Sequence, residues 1–97
     1  MFIRTFMSNQ FRKNLQQKNT DELEKQLFEE RAEMVEFAED NGQWQLFDDK
    51  QSIGSMREAI SNLPESETKM EIKERFDRVE TIYEVYSARV VSETVGE

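Results

Sequence analysis

Five carboxylates, Glu22, Glu29, Glu33, Glu36 and Asp40, project within about 60° of arc if residues 20–40 wind as a helix. From Glu29 onward they recur every three or four residues, which sets neighbouring side chains roughly 5–6 Å apart at their Cβ atoms. Negative charge at that interval is broadly similar to the phosphate row of a nucleic-acid strand. It can engage Lys and Arg clusters on a protein that handles DNA or RNA. The plain alternative is a solvated face with its carboxylates in water. Against that alternative, the like-charged pairs Glu29–Glu33 and Glu36–Asp40 each cost a few tenths of a kcal/mol, which mixed signs would have avoided.

A second set of residues lies at the start of the chain, where Phe2, Phe6 and Phe11 are interleaved with Arg4, Arg12 and Lys13. Residues 1–18 contain no carboxylate, whereas the rest of the chain holds all 21 Asp and Glu against nine Lys and Arg. A basic, aromatic head of this kind can fold back on its own acidic body, insert into a partner's groove, or lie on a membrane surface. Met7 offers a second start, with residues 1–6 then an upstream extension.

Other chemistry is poorly supplied. There is no His and no Cys. Zinc therefore loses its usual ligands, and a serine nucleophile loses its usual base. Asp40-Asn41-Gly42 and Asp48-Asp49 are hard-oxygen groups, but the twelve-residue calcium-loop pattern is absent. Three scattered glycines make no phosphate loop. No catalytic residue, cofactor or metal is expected, and an enzyme is not.

The elements that must carry these residues read as helices. Asn19 and Glu22 have capping-box spacing, so a helix is expected over 20–40, ending at Asn41-Gly42. Leu23, Leu27, Met34, Val35, Phe37 and Ala38 fall within about 160° of arc on it, with Phe28 just beside them. Ser8 as N-cap predicts a short helix over 9–17. A helix over 53–63 should stop at Pro64, which lacks an amide and pushes Leu63 out of the helical region. Thr68 and Glu71 again have capping-box spacing, predicting a helix to about Val91. Its seam Ile72, Phe76, Val79, Tyr83, Tyr86, Val90 keeps heptad steps.

The expected fold is all-α: a small helical bundle with a long, heptad-patterned C-terminal helix, one domain over 1–97, and a basic segment 1–18 that is partly flexible. Leu23, Leu27, Met34, Phe37, Ile60, Ile72, Phe76, Val79 and Tyr83 should form its core. Tyr86 should lie at the margin, and Trp44 and Phe47 should plug one end. A minor alternative is α+β, with short strands near 2–7, 43–47 and 85–91.

With a net charge of −8, the body should repel nucleic acid and anionic lipid, so direct nucleic-acid binding is not expected and an attracted partner is basic. No apolar run approaches the roughly 20 residues that span a bilayer, and a cytoplasmic location is expected. Size and charge alone are those of small acidic inhibitors common among phage and mobile elements. The expected function is thus a non-enzymatic, protein-binding regulator or inhibitor. In its sharpest form it mimics nucleic acid against a nuclease, polymerase or other nucleic-acid-binding host protein. The expected contact residues are Glu22, Glu29, Glu33, Glu36, Asp40, Phe2, Phe6 and Phe11. The alternative is a self-associating coiled-coil adaptor, a homodimer built on the C-terminal seam.

Overall fold

The structure, a computed structural model, describes the backbone of residues 2–95 and the side chains of residues 9–94. Four helices follow one another: α1 (Phe2–Gln16), α2 (Thr20–Asp40), α3 (Ile53–Ser61) and α4 (Glu67–Val95). The fold is all-α, and no strand occurs among the described residues.

Helix α1 begins well before the expected 9–17, so Ser8 lies inside the helix and is not its cap. The strand reading of 2–7 also fails. Backbone amides need partners, and with no strand to pair with, a segment free of Gly and Pro satisfies them by winding. At the other end, Arg89 of α4 reaches over the terminus of α1. Its Nη1 donates to the carbonyl of Lys18 at 2.6 Å and its Nη2 to that of Gln16 at 3.0 Å, satisfying carbonyls the helix leaves free.

Helix α2 starts and stops where expected. The Glu22 amide donates to Asn19 Oδ1 at 2.8 Å, and the Asn19 amide donates to Glu22 Oε1 at 3.1 Å. At the C-terminus Gly42 takes φ +86°, a left-handed conformation that suits a residue without Cβ. The amides of Gly42 and Gln43 then return to the carbonyls of Glu39 at 3.1 Å and Ala38 at 2.8 Å, a Schellman closure. The connection beyond is tied down by Arg31, whose Nη2 donates to the carbonyls of Asp48 (3.2 Å), Asp49 (3.1 Å) and Gln51 (3.1 Å).

Helix α3 ends at Ser61, two residues before the expected Leu63. Asn62 caps it, Leu63 leaves the helix ahead of Pro64, and its side chain still packs on the core. Helix α4 starts one residue earlier than expected, with a different cap. The Ser66 hydroxyl accepts from the Lys69 amide at 3.1 Å, so Thr68 lies within the first turn and the Thr68–Glu71 box is not formed. The helix then runs unbroken through 85–91, where the minor reading allowed a strand.

Antiparallel α2 and α4 form the central pair, and α1 and α3 each pack onto α4. The apolar interior has two parts. Met34, Ala38, Met56, Ile60, Ile72, Phe76 and Val79 form one cluster under α3. Leu15, Leu23, Ile82 and Val85 form the other under α1, and the partly buried Leu27 packs against both.

This division corrects the expected core at its C-terminal end. Tyr83 is 43% exposed, while Ile82 is fully buried and Val85 nearly so. At 100° per residue, Ile82 and Val85 point roughly 110° away from the face made by Ile72, Phe76 and Val79. The buried face turns because α4 is covered by α3 along its first half and by α1 along its second. Tyr86 sits half-buried at the margin, as expected. Trp44 does not plug the core: it is 66% exposed, and Leu46, Phe47 and Ile53 close that end.

The turned face predicts unequal costs for adjacent substitutions. Ile82→Ala should lower stability by about 2–5 kcal/mol, whereas Tyr83→Ala should cost less than about 1 kcal/mol. Urea denaturation of the two variants measures both.

Candidate functional site

The helix that carries the acidic row faces inward through Leu23, Met34 and Ala38, which are fully buried. Geometry therefore sends Glu22, Glu29, Glu33, Glu36 and Asp40 to the opposite side, and all five are exposed. They do not behave alike. Glu22 is occupied in the capping box at the start of α2. The Glu33 carboxylate makes no hydrogen bond or ion pair among the described residues, yet its charge is felt at Arg78 of α4. The side chains of Glu29, Glu36 and Asp40, and of Glu39 beside them, likewise have neither ion pair nor hydrogen-bonding partner among the described residues.

The cations explain why the row is uncompensated. Arg12 pairs with Glu84 at 3.1 Å, Arg57 with Glu80, Lys69 with Glu65 at 2.6 Å and Arg75 with Glu71 at 3.8 Å. Arg78 crosses to α2 and grips Glu30 with Nε at 3.2 Å and Nη2 at 2.8 Å. These hydrogen bonds, against partial burial, and the charges of Glu30 and Glu33 hold its guanidinium above the usual arginine pKa. Arg31 and Arg89 are committed to backbone carbonyls, and Lys18 donates to Gln26. Most basic side chains are thus struts between elements; Lys25 stands exposed on the outer face of α2, but no ion pair joins it to the row among the described residues.

The aromatic head resolves in part. Phe11 is half-buried against the second cluster, with the Arg78 guanidinium carbon 4.4 Å from its ring centroid. That cation–π contact is worth on the order of 0.5–1 kcal/mol and joins α1 to the Arg78–Glu30 bridge. The side chains of Phe2 and Phe6 lie outside the described residues.

Sequence reasoning placed Phe28 at the edge of the buried arc, and the structure leaves it 75% exposed. A shallow, open depression lies beside it, lined among the described residues by Leu27 and Phe28, by Asp21, Glu24 and Glu29, and by Lys25 and Arg31. No group of three or more His, Cys, Asp or Glu among the described residues is arranged to hold a metal ion. Among the described residues no helix is long and apolar enough to cross a membrane.

At the far end of α2, the Tyr86 hydroxyl donates to Glu24 Oε2 at 3.2 Å. Partial desolvation first, and then the Glu24 carboxylate, push the phenol pKa above its ordinary value. The folded state holds this proton more tightly than the unfolded chain does. The resulting stability is therefore complete below pH about 10 and is lost as pH rises through the raised folded value. In a Tyr83→Phe background, phenolate absorbance should titrate Tyr86 above that of free tyrosine, and adding Glu24→Gln should bring the midpoint down.

No protein-family model matches the chain, and neither a curated protein nor a solved structure is similar to it.

Proposed function

We propose that this chain is a non-enzymatic binding protein, a regulator or inhibitor that presents the outer face of α2 to a basic surface on another protein. One observation carries the reading: Glu29, Glu33, Glu36 and Asp40 stand exposed in a row, and among the described residues no cation forms an ion pair with any of them. Like charge held at i,i+4 spacing costs a few tenths of a kcal/mol per pair, which a merely solvated face would avoid by mixing signs. Most of the arginines brace the helices and Lys25 is the one described cation on this face, so surplus negative charge is left along the ridge.

In the finer form of the proposal the ridge stands in for a nucleic-acid strand, and the partner is a nuclease, polymerase or other nucleic-acid-binding protein of the cytoplasm. The 4–3–4 spacing from Glu29 to Asp40 supports it, since it offers a Lys- or Arg-lined groove a succession of acceptors along a rigid rod. Self-association through α4 draws less support, because Ile72, Phe76 and Val79 are already covered within the chain.

A quadruple variant, Glu29→Gln, Glu33→Gln, Glu36→Gln and Asp40→Gln, tests the reading. It relieves i,i+4 repulsion, so it should melt no lower than the parent, and lost binding cannot then be ascribed to unfolding. Proteins captured from lysate by the parent at about 50 mM salt should be released at about 200 mM, displaced by duplex DNA, and retained at least about tenfold less by the variant. Equal retention by parent and variant would sink the proposal. Release by salt without displacement by DNA would remove only the mimicry.

A further inference from the structure

We infer that the outer flank of α2 docks an amphipathic helix whose apolar stripe is bordered by Lys or Arg, with Phe28 as the anchor. The inference rests on the acidic-face reading and names the chemistry of its partner. The fully buried positions of α2 face α4 and the core. On its outer flank lies a second, smaller apolar row: Phe28 is 75% exposed, Ala32 is exposed and Val35 is half-buried. Their i, i+4, i+7 spacing keeps them on one side of the helix over about two turns, roughly 10 Å. The open depression beside Phe28 gives room for an incoming side chain against Leu27.

Charge complementarity selects the occupant. Glu29 precedes Ala32 by three residues and Glu36 follows it by four, so both carboxylates border the apolar row at its centre, beside the exposed Lys25. Neither has an ion pair among the described residues. A helix laid along this row would seat its own apolar side chains on Phe28, Ala32 and Val35 and bring its flanking cations over Glu29, Glu36 and Asp40. This is helix-on-helix recognition with i, i+3, i+4 anchors. Small Ala32 between the larger Phe28 and Val35 allows close approach. A second copy of the chain, with net charge −8, brings the wrong sign on most of its surface.

The probes are three synthetic peptides: an amphipathic Leu/Lys helix of about 18 residues, long enough to fold on binding, its Leu/Glu counterpart, and oligolysine. Binding to the full chain is read by fluorescence anisotropy of labelled peptide over a salt series. The Leu/Lys peptide should bind best. Phe28→Ser should weaken it at least about tenfold while leaving the slope of log affinity against log salt unchanged. Glu29→Gln with Glu36→Gln and Asp40→Gln should weaken binding and flatten that slope. Oligolysine should bind weakly and be indifferent to Phe28→Ser, and the Leu/Glu peptide should not bind. Ala32→Lys, at an exposed position, provides a second block should Phe28→Ser alter the melting temperature.

If both Phe28→Ser and Ala32→Lys bind the Leu/Lys peptide as tightly as the parent, the docking stripe is overturned while the acidic-face reading stands. If neither Leu/Lys nor oligolysine binds, both fall. If the parent self-associates in sedimentation and Phe28→Ser does not, the occupant is a second copy and this assignment is wrong.

Discussion

Everything in this molecule leans on α4. Its 29 residues are the common support onto which the other helices pack, and α2 takes the longest stretch of it in antiparallel register. Pairs along that register, Phe37 with Arg75, Glu30 with Arg78, Glu24 with Tyr86 and Thr20 with Glu93, descend one helix as they climb the other. An isolated helix of this composition is marginal in water, so its persistence depends on the burial its neighbours supply. Conversely, α3, at nine residues, is too short to stand alone and is held by Met56 and Ile60 against α4. The extents of 45 × 34 × 19 Å describe a slab about two helices thick. In so thin an arrangement one side of α2 must remain in water.

The electrostatic character of the surface follows from how that slab is braced. With a charged fraction of 35% and little apolar surface to bury, the chain uses arginines as cross-members. Arg12, Arg57 and Arg78 link different helices through carboxylates, while Arg75 and Arg78 lie over the rings of Phe37 and Phe11. Arginine suits this work because its stem covers apolar surface and its planar head both stacks and makes paired hydrogen bonds. Exposed pairs of this kind contribute little each. Their larger effect is on where charge is left over. Each inward cation is one fewer to balance the outward face of α2.

Much of the fold was legible because local chemistry and tertiary packing agree. The Asn19–Glu22 box, the Gly42 closure and the break at Pro64 are all short-range signals, and all appear at or within two residues of their expected positions. The errors arose where a partner decides. Tyr83 continues an ideal heptad but is left 43% exposed, because α1 arrives from another side and draws in Ile82 and Val85. Heptad spacing describes one neighbour, and α4 has three. Ser66 displaced Thr68 as cap because two hydroxyls stood close together with only spacing to choose between them. Trp44 has the bulk of a core residue, but Leu46 and Phe47 just beyond it fill that space. At the candidate site the acidic row was readable from helical periodicity. That no cation among the described residues pairs with Glu29, Glu36 or Asp40 was not, because pairing across helices depends on which side chains meet in three dimensions.

Leu27 packs against both apolar clusters, one built under α3 and one, of only four fully or nearly buried residues, under α1. Both clusters are strung along the same α2–α4 pair, but only the smaller one holds α1 in place. Detachment of α1 would strip Arg12 from Glu84 and Phe11 from Arg78, while the larger cluster keeps α2, α3 and α4 together. The basic head and the acidic ridge are thus carried on different helices, both packed on α4. What an approaching macromolecule feels electrostatically would then depend on α1: docked, its cations offset part of the body's charge, and detached, they would leave that charge unbalanced.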